Sequence, residues 1–191
     1  IQTLDDLSGH TVSIGAEESG TERNATQILE FAGMPSSLVA TKNLDYIEAT
    51  KELKAGDIDA FFCTAGLTTT VIDELSKECD IRLIPLTDTV ISKMLESSLA
   101  YTSEVIPAGT YTGQTTDIST IGVKSVLITK ADVSDDTIEQ LTSLLFEKEN
   151  EISYSNSLKL ELTYDFATDD IPIPFHDGAK RYYKACGYST N

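Results

Sequence analysis

Up to Ala100 the chain alternates between two hydrophobic periods. Val12 and Ile14 alternate with polar neighbours over Thr11–Gly15, the pattern of a short strand. Ala25, Ile28, Leu29 and Ala32 then recur at helical spacing over Glu22–Ala32. Gly33 supplies the stop, since a residue without Cβ enters the left-handed region that closes a helix. Leu38–Leu44 reads as a short strand, and Asp45–Ala55 as a helix ended by Gly56 with Ile47, Leu53 and Ala55 as its apolar positions. Ile58–Thr64 (IDAFFCT) is a largely apolar run, as in a strand buried on both faces of a parallel sheet. Thr69–Glu78 reads as a helix, Ile81–Leu86 as a strand and Thr87–Glu96 as a helix. Strands separated by helices make βαβ units, so the expected core is doubly wound α/β.

The pattern changes near Tyr101. Ile106–Thr120 (IPAGTYTGQTTDIST) is rich in Gly, Pro, Thr and Ser without helical periodicity, and reads as a long functional or connecting loop. Ile121–Thr129 follows as a strand and Ser134–Asn150 as an amphipathic helix, with Ser134 as N-cap, Asp135 and Asp136 in the first turn and Leu141, Leu144 and Leu145 on one face. Ile171–Phe175 (IPIPF) is extended because its prolines restrict their neighbours. Gly178–Cys186 is a last short helix stopped by Gly187.

Composition narrows the partners. The 191 residues fit one or two domains, and a hydrophobic content of 40% is enough for a core. A mean hydropathy of −0.11, with no long apolar run, argues against a transmembrane helix. A formal net charge of −17, from 31 acidic against 14 basic residues, argues against nucleic acid, which needs clustered Lys and Arg. An anionic ligand would be held by local dipoles and polar groups rather than by the field of the whole chain. Cys63, Cys79 and Cys186 form no CxxC and lie near no histidine, so neither zinc nor a disulfide framework is expected; a single Cys79–Cys186 bridge stays open. Cys63, in an apolar run, reads as a small core residue. The chain opens at Ile1 without an initiator Met or signal peptide, and the expectation is that preceding sequence has been removed.

The turn after the first strand has chemistry to offer. Ser19 or Thr21 can serve as N-cap where a helix opens over Thr21–Asn24. The first amides of a helix lack internal partners and sit at the positive end of its dipole, so they can receive a carboxylate, phosphate or sulfate. The plainer reading is an ordinary strand-to-helix turn with a good cap.

Several phrases stand in one order and register. VSIGAEESGTERNATQILEFAG, ELKAGDIDAFFCTAGLTTTVIDEL, DIRLIPL, VIPAGTYTGQ and IPIPFHDGAKRYYKACG together resemble the TAXI-type solute receptors, the extracytoplasmic substrate-binding subunits of TRAP transporters. The most specific pieces are the turns Ser19–Glu22 and Thr64–Gly66 and the phrase Ile106–Gln114. The resemblance implies an α/β, type II periplasmic-binding-protein-like fold of two lobes with a ligand cleft between them. Residues 1–116 would be lobe II, a doubly wound parallel-rich lobe, and residues 117–191 the returning C-terminal segment of lobe I. Family members carry further sequence before the phrase that opens here at Leu4–Val12, so this chain by itself is expected to rearrange its returning segment or to self-associate. Glu17–Glu18, Cys63 and Leu67 depart from the residues usual in the family.

The expected site follows from where open α/β sheets bind ligands, at loops after the carboxyl ends of parallel strands. Glu18, Ser19, Gly20 and Thr21 supply one turn, Thr64, Ala65 and Gly66 a second, and Thr110 and Tyr111 of the long loop a third. Hydroxyls and helix-terminal amides suit the carboxylates of a dicarboxylate or of an amino acid such as glutamate, each charge-assisted bond contributing about 1.5–3 kcal/mol. Glu17 or Glu18 would face a ligand ammonium group, or else be solvated acids complementing the helix dipole. His10 lies in a polar turn and His176 in a segment suited to a structural role, while Phe61 and Phe62 argue for burial of Cys63. No catalytic grouping or phosphate-binding loop stands in the sequence, so the expectation is a non-enzymatic binding protein without cofactor. The resemblance implies that it delivers a small organic anion to membrane-embedded transporter subunits outside the cytoplasm. The same fold also serves as the effector-binding module of transcription regulators; the phrases IPAGTYTGQ and IPIPFHDGA favour the receptor.

Overall fold

The computed structural model describes residues 1–148 and 162–190. The last two residues of the expected Ser134–Asn150 helix lie outside them. Two compact units divide the chain, Ile1–Gly122 and Val123–Asn191. In the first, β1 (Thr11–Ser13) is the centre of a three-stranded parallel sheet, with β2 (Ala40–Lys42) on one side and β3 (Ala60–Phe61) on the other. Val12 registers with Thr41 and with Ala60. Helices α1 (Gly20–Phe31) and α2 (Tyr46–Ala55) connect these strands, and α3 (Thr70–Glu78) and α4 (Asp88–Ser97) follow. A separate two-stranded sheet joins β4 (Tyr101–Ile106) to β5 (Ile118–Val123). The first unit is thus mixed α/β with a parallel sheet, compatible with a periplasmic-binding-like fold.

Local chemistry explains where the helices start and stop. Ser19 is the N-cap of α1, its side chain accepting the Glu22 amide at 3.1 Å. α1 buries Thr21, Ala25, Ile28 and Leu29 on one face, and Gly33, at φ +75°, reverses the chain after it. α2 opens with a capping box in which the Asp45 carboxylate accepts the Glu48 amide and the Glu48 carboxylate accepts the Asp45 amide. The core beneath gathers Leu4, Leu7, Val12, Ile14, Ala25, Leu29, Met34 and Val39 with Val90, Ile91 and Met94 of α4. α4 lies against α1, and α2 against α3.

Four strand expectations need correction. Ile81–Leu86 forms no ladder; it is extended, and Leu86 alone donates to the Ser119 carbonyl at 2.9 Å. Pro85 lacks the amide donor that a ladder would need directly before Leu86. Tyr101–Ile106 is a strand that the polar Ser103 and Glu104 disguise, so the loop after it is shorter than Ile106–Thr120 and runs over residues 107–117. The strand expected at Ile121–Thr129 is Ile118–Val123, and Leu127 and Ile128 stand exposed after it. Ile58–Thr64 is only half-buried, because β3 sits at the edge of its sheet with β1 as its one neighbour.

In the second unit α5 (Asp135–Glu147), α6 (Tyr164–Thr168) and α7 (Asp177–Ala185) are the described elements. α5 packs against α7. Their contact closes where Gly178 meets Asp135 so tightly that a Cβ would lie 2.2 Å from the Asp135 carbonyl oxygen. Phe146 stacks on Tyr164 with centroids 4.5 Å apart and meets Tyr183 edge-on. His176 caps α7, its Nδ1 accepting the Gly178 amide at 3.1 Å. Among the described residues no helix is long and apolar enough to cross a membrane.

Candidate ligand-binding site

The turns after the carboxyl ends of β1, β2 and β3 meet at one edge of the first unit. Gly15 makes the first possible. It is buried at φ +101°, and the space a Cβ would take is filled by Thr21, whose Cβ lies 2.7 Å from that point. The chain therefore folds back so that Thr21, in the first turn of α1, sits over the end of β1. Asn43, after β2, donates to the Gly15 carbonyl at 3.1 Å and to the Glu22 carboxylate at 2.7 Å. The other Glu22 oxygen accepts the Glu18 amide at 2.6 Å. Glu18 itself is exposed at φ +59°.

Hydrogen bonds join this turn to the exit of β3. The Thr21 hydroxyl lies 2.8 Å from the Tyr46 hydroxyl at the start of α2. Tyr46 in turn donates to the Thr64 carbonyl at 2.8 Å and accepts the Thr64 amide at 3.0 Å. Asn24 donates to the Thr64 hydroxyl at 3.3 Å, and Tyr101 of β4 donates to Asn24 Oδ1 at 2.9 Å. Ala65 and Gly66 follow, exposed.

The third segment has its own frame. Gln114 Nε2 reaches the carbonyls of Ile106, Pro107 and Thr116, and Gln114 Oε1 accepts the Tyr111 amide at 3.3 Å. Thr110 turns its hydroxyl back onto the Pro107 carbonyl at 2.7 Å. Tyr111 is buried, and its hydroxyl accepts the Thr69 amide at 3.3 Å, beside the start of α3. Burial raises the Tyr111 pKa above the usual phenol value, which keeps its proton in place as a donor.

Of the residues expected at the site, Thr21 and Thr64 share one hydrogen-bonded network with Ser19 and Gly20 alongside in sequence, and Tyr111 reaches the next helix terminus. Glu18, Ala65 and Gly66 are exposed at the rims of their turns. Tyr46, Asn24, Asn43 and Tyr101 were not expected there. Asn43 fell inside the strand expected over Leu38–Leu44, whereas β2 ends at Lys42, and Tyr46 fell inside the helix expected over Asp45–Ala55.

Both histidines are engaged locally: His10 Nδ1 pairs with Asp59 at 3.2 Å, and His176 caps α7. The Cys63 thiol is pushed up to about 11 by burial, an effect the nearby Tyr46 hydroxyl only partly offsets. Iodoacetamide at pH 8 should therefore label the exposed Cys186 before Cys63, as peptide mass mapping over time would record. Equal rates would contradict this placement. A shallow depression of about 370 Å³ on the second unit is lined by Asp136, Glu139, Gln140, Ser143 and Tyr182. Arg181 pairs with both of its carboxylates, at 2.7 and 3.2 Å, and so neutralises the charge it would offer.

The whole span from residue 1 to residue 187 matches the NMT1-like family. The chain belongs to that family. The NMT1-like family is of periplasmic-binding type, and membership suggests a solute- or ligand-binding role. The first compact unit and all but the last four residues of the second fall within the matched span.

Proposed function

We propose that the chain is the solute-binding component of a TRAP-type transporter of the TAXI kind, working outside the cytoplasm and handing a small organic anion to membrane-embedded subunits. The ligand is a dicarboxylate or an acidic amino acid such as glutamate. Residues 1–116 serve as lobe II of a type II binding-protein fold, and residues 117–191 as the returning part of lobe I. The observation that carries the reading is the meeting of the turns after β1, β2 and β3, where the first turn of α1 stands beside the Thr21 and Thr64 hydroxyls, with the Tyr111 hydroxyl at the start of α3. Membership of a periplasmic-binding-type family supports it. A binding role without catalysis is supported by the separate engagement of the two histidines and by the raised thiol of Cys63.

Binding by short-range dipoles in a chain of net charge −17 depends only weakly on salt, because screening acts mainly on exposed charges far apart. A thermal-shift screen against organic acids, amino acids and neutral sugars tests the ligand class. Carboxylates are expected to raise the melting temperature; a response to neutral sugars alone would overturn the anion reading. Thr21→Val and Thr64→Val are expected to weaken carboxylate binding while lowering stability by no more than about 1 kcal/mol, the scale of one neutral hydrogen bond. Unchanged calorimetric affinity in both variants would place the pocket elsewhere.

A further inference from the structure

The Tyr46 hydroxyl has one proton and two lone pairs, and the structure uses all three. Its proton points to the Thr64 carbonyl at 2.8 Å, and the Thr64 amide returns to its oxygen at 3.0 Å. With that proton committed, the contact at 2.8 Å to Thr21 must be the threonine donating into the remaining lone pair. One oxygen atom thereby ties the first turn of α1 to the backbone at the exit of β3, reaching across from α2. Thr64 is an exposed residue whose amide is held by the Tyr46 bond. Helix α2 is itself pinned at that end by the Asp45–Glu48 capping box, which gives the tyrosine a fixed base.

We propose that Tyr46 is the positioning residue of the ligand site, setting the separation between the Thr21 turn and the Thr64 turn without touching the ligand. This rests on the reading that those two turns hold a carboxylate ligand. A site built on two separate turns loses affinity when either drifts, because its donors no longer converge on one pair of oxygens. Phenylalanine at position 46 keeps the ring and its packing but removes all three bonds.

The test pairs amide hydrogen exchange with calorimetry on the full chain, using L-glutamate and succinate as probes. In the unsubstituted chain the Thr64 amide is expected to exchange slowly for an exposed residue. In Tyr46→Phe it should exchange faster by about tenfold or more, with the amides of β1 and the α1 interior unchanged. Affinity for the responding probe should fall by about tenfold or more in Tyr46→Phe. Unaltered Thr64 exchange in Tyr46→Phe would overturn the proposal whatever the probes do. Faster exchange with undiminished affinity would overturn it while leaving the carboxylate reading standing. Failure of the parent chain to bind either probe would remove the carboxylate reading and this role together.

Discussion

Gly178→Ala lowers the urea midpoint of unfolding by about 1–2 M, the equivalent of roughly 2–3 kcal/mol of overpacking. The added methyl would stand 2.2 Å from the Asp135 carbonyl oxygen and 3.0 Å from the Asp135 Cα. Both are main-chain atoms, so relief requires α7 to move away from α5 rather than a side chain to rotate. That movement separates Arg181 from Asp136 and Glu139 and opens the Phe146–Tyr183 edge contact. The chain has no tryptophan, and Tyr164, Tyr182, Tyr183 and Tyr188 lie within or beside the disturbed contact, so tyrosine fluorescence follows the transition. An alanine variant as stable as the parent would mean that α5 and α7 do not approach this closely in solution.

Gly15→Ala is expected to damage both stability and ligand response. At φ +101° any side chain is strained, and here the new methyl would also meet Thr21 Cβ at 2.7 Å. Strain and crowding together cost about 2–4 kcal/mol. Pushing Thr21 outward breaks its bond to Tyr46 and splits the first turn from the third strand's exit. Gly9→Ala supplies the control: Gly9 also has positive φ, at +80°, but nothing stands within 4 Å of its missing Cβ. Its cost should be the strain alone, about 1 kcal/mol, with the carboxylate thermal shift retained. Equal losses of stability and ligand response in the two variants would show that Thr21 is not held by Gly15.

The helices were legible because their signals are local. Ser19 before α1, the Asp45–Glu48 pair at α2, Gly33 and Gly56 after them, and the spacing of Ala25, Ile28 and Leu29 all act within a turn or two of chain. Strands depend on neighbours that periodicity does not reveal. The apolar run Ile81–Leu86 has strand composition, yet Pro85 and a single bond to Ser119 leave it without a ladder. Tyr101–Ile106 pairs in spite of Ser103 and Glu104 because β5 is there to receive it. At the site, Thr21 and Thr64 could be named from turn chemistry alone. Tyr46 could not, since its hydroxyl partners lie 25 and 18 residues away and nothing in YIEATKELKA marks that tyrosine as anything but helical surface.

The loop from residue 107 to residue 117 keeps most of its hydrogen bonds to itself, through the Gln114 amide on three carbonyls, Thr110 on Pro107 and Asp117 on the Ala108 amide. Its shape is therefore set by residues other than those at its tip, where Thr112 and Gly113 stand exposed. Within the tip the two positions differ: Thr112 can be replaced, whereas Gly113, at φ +79°, strains any side chain placed there. A change at Thr112 therefore leaves the frame of the loop in place, and its cost in stability should be small.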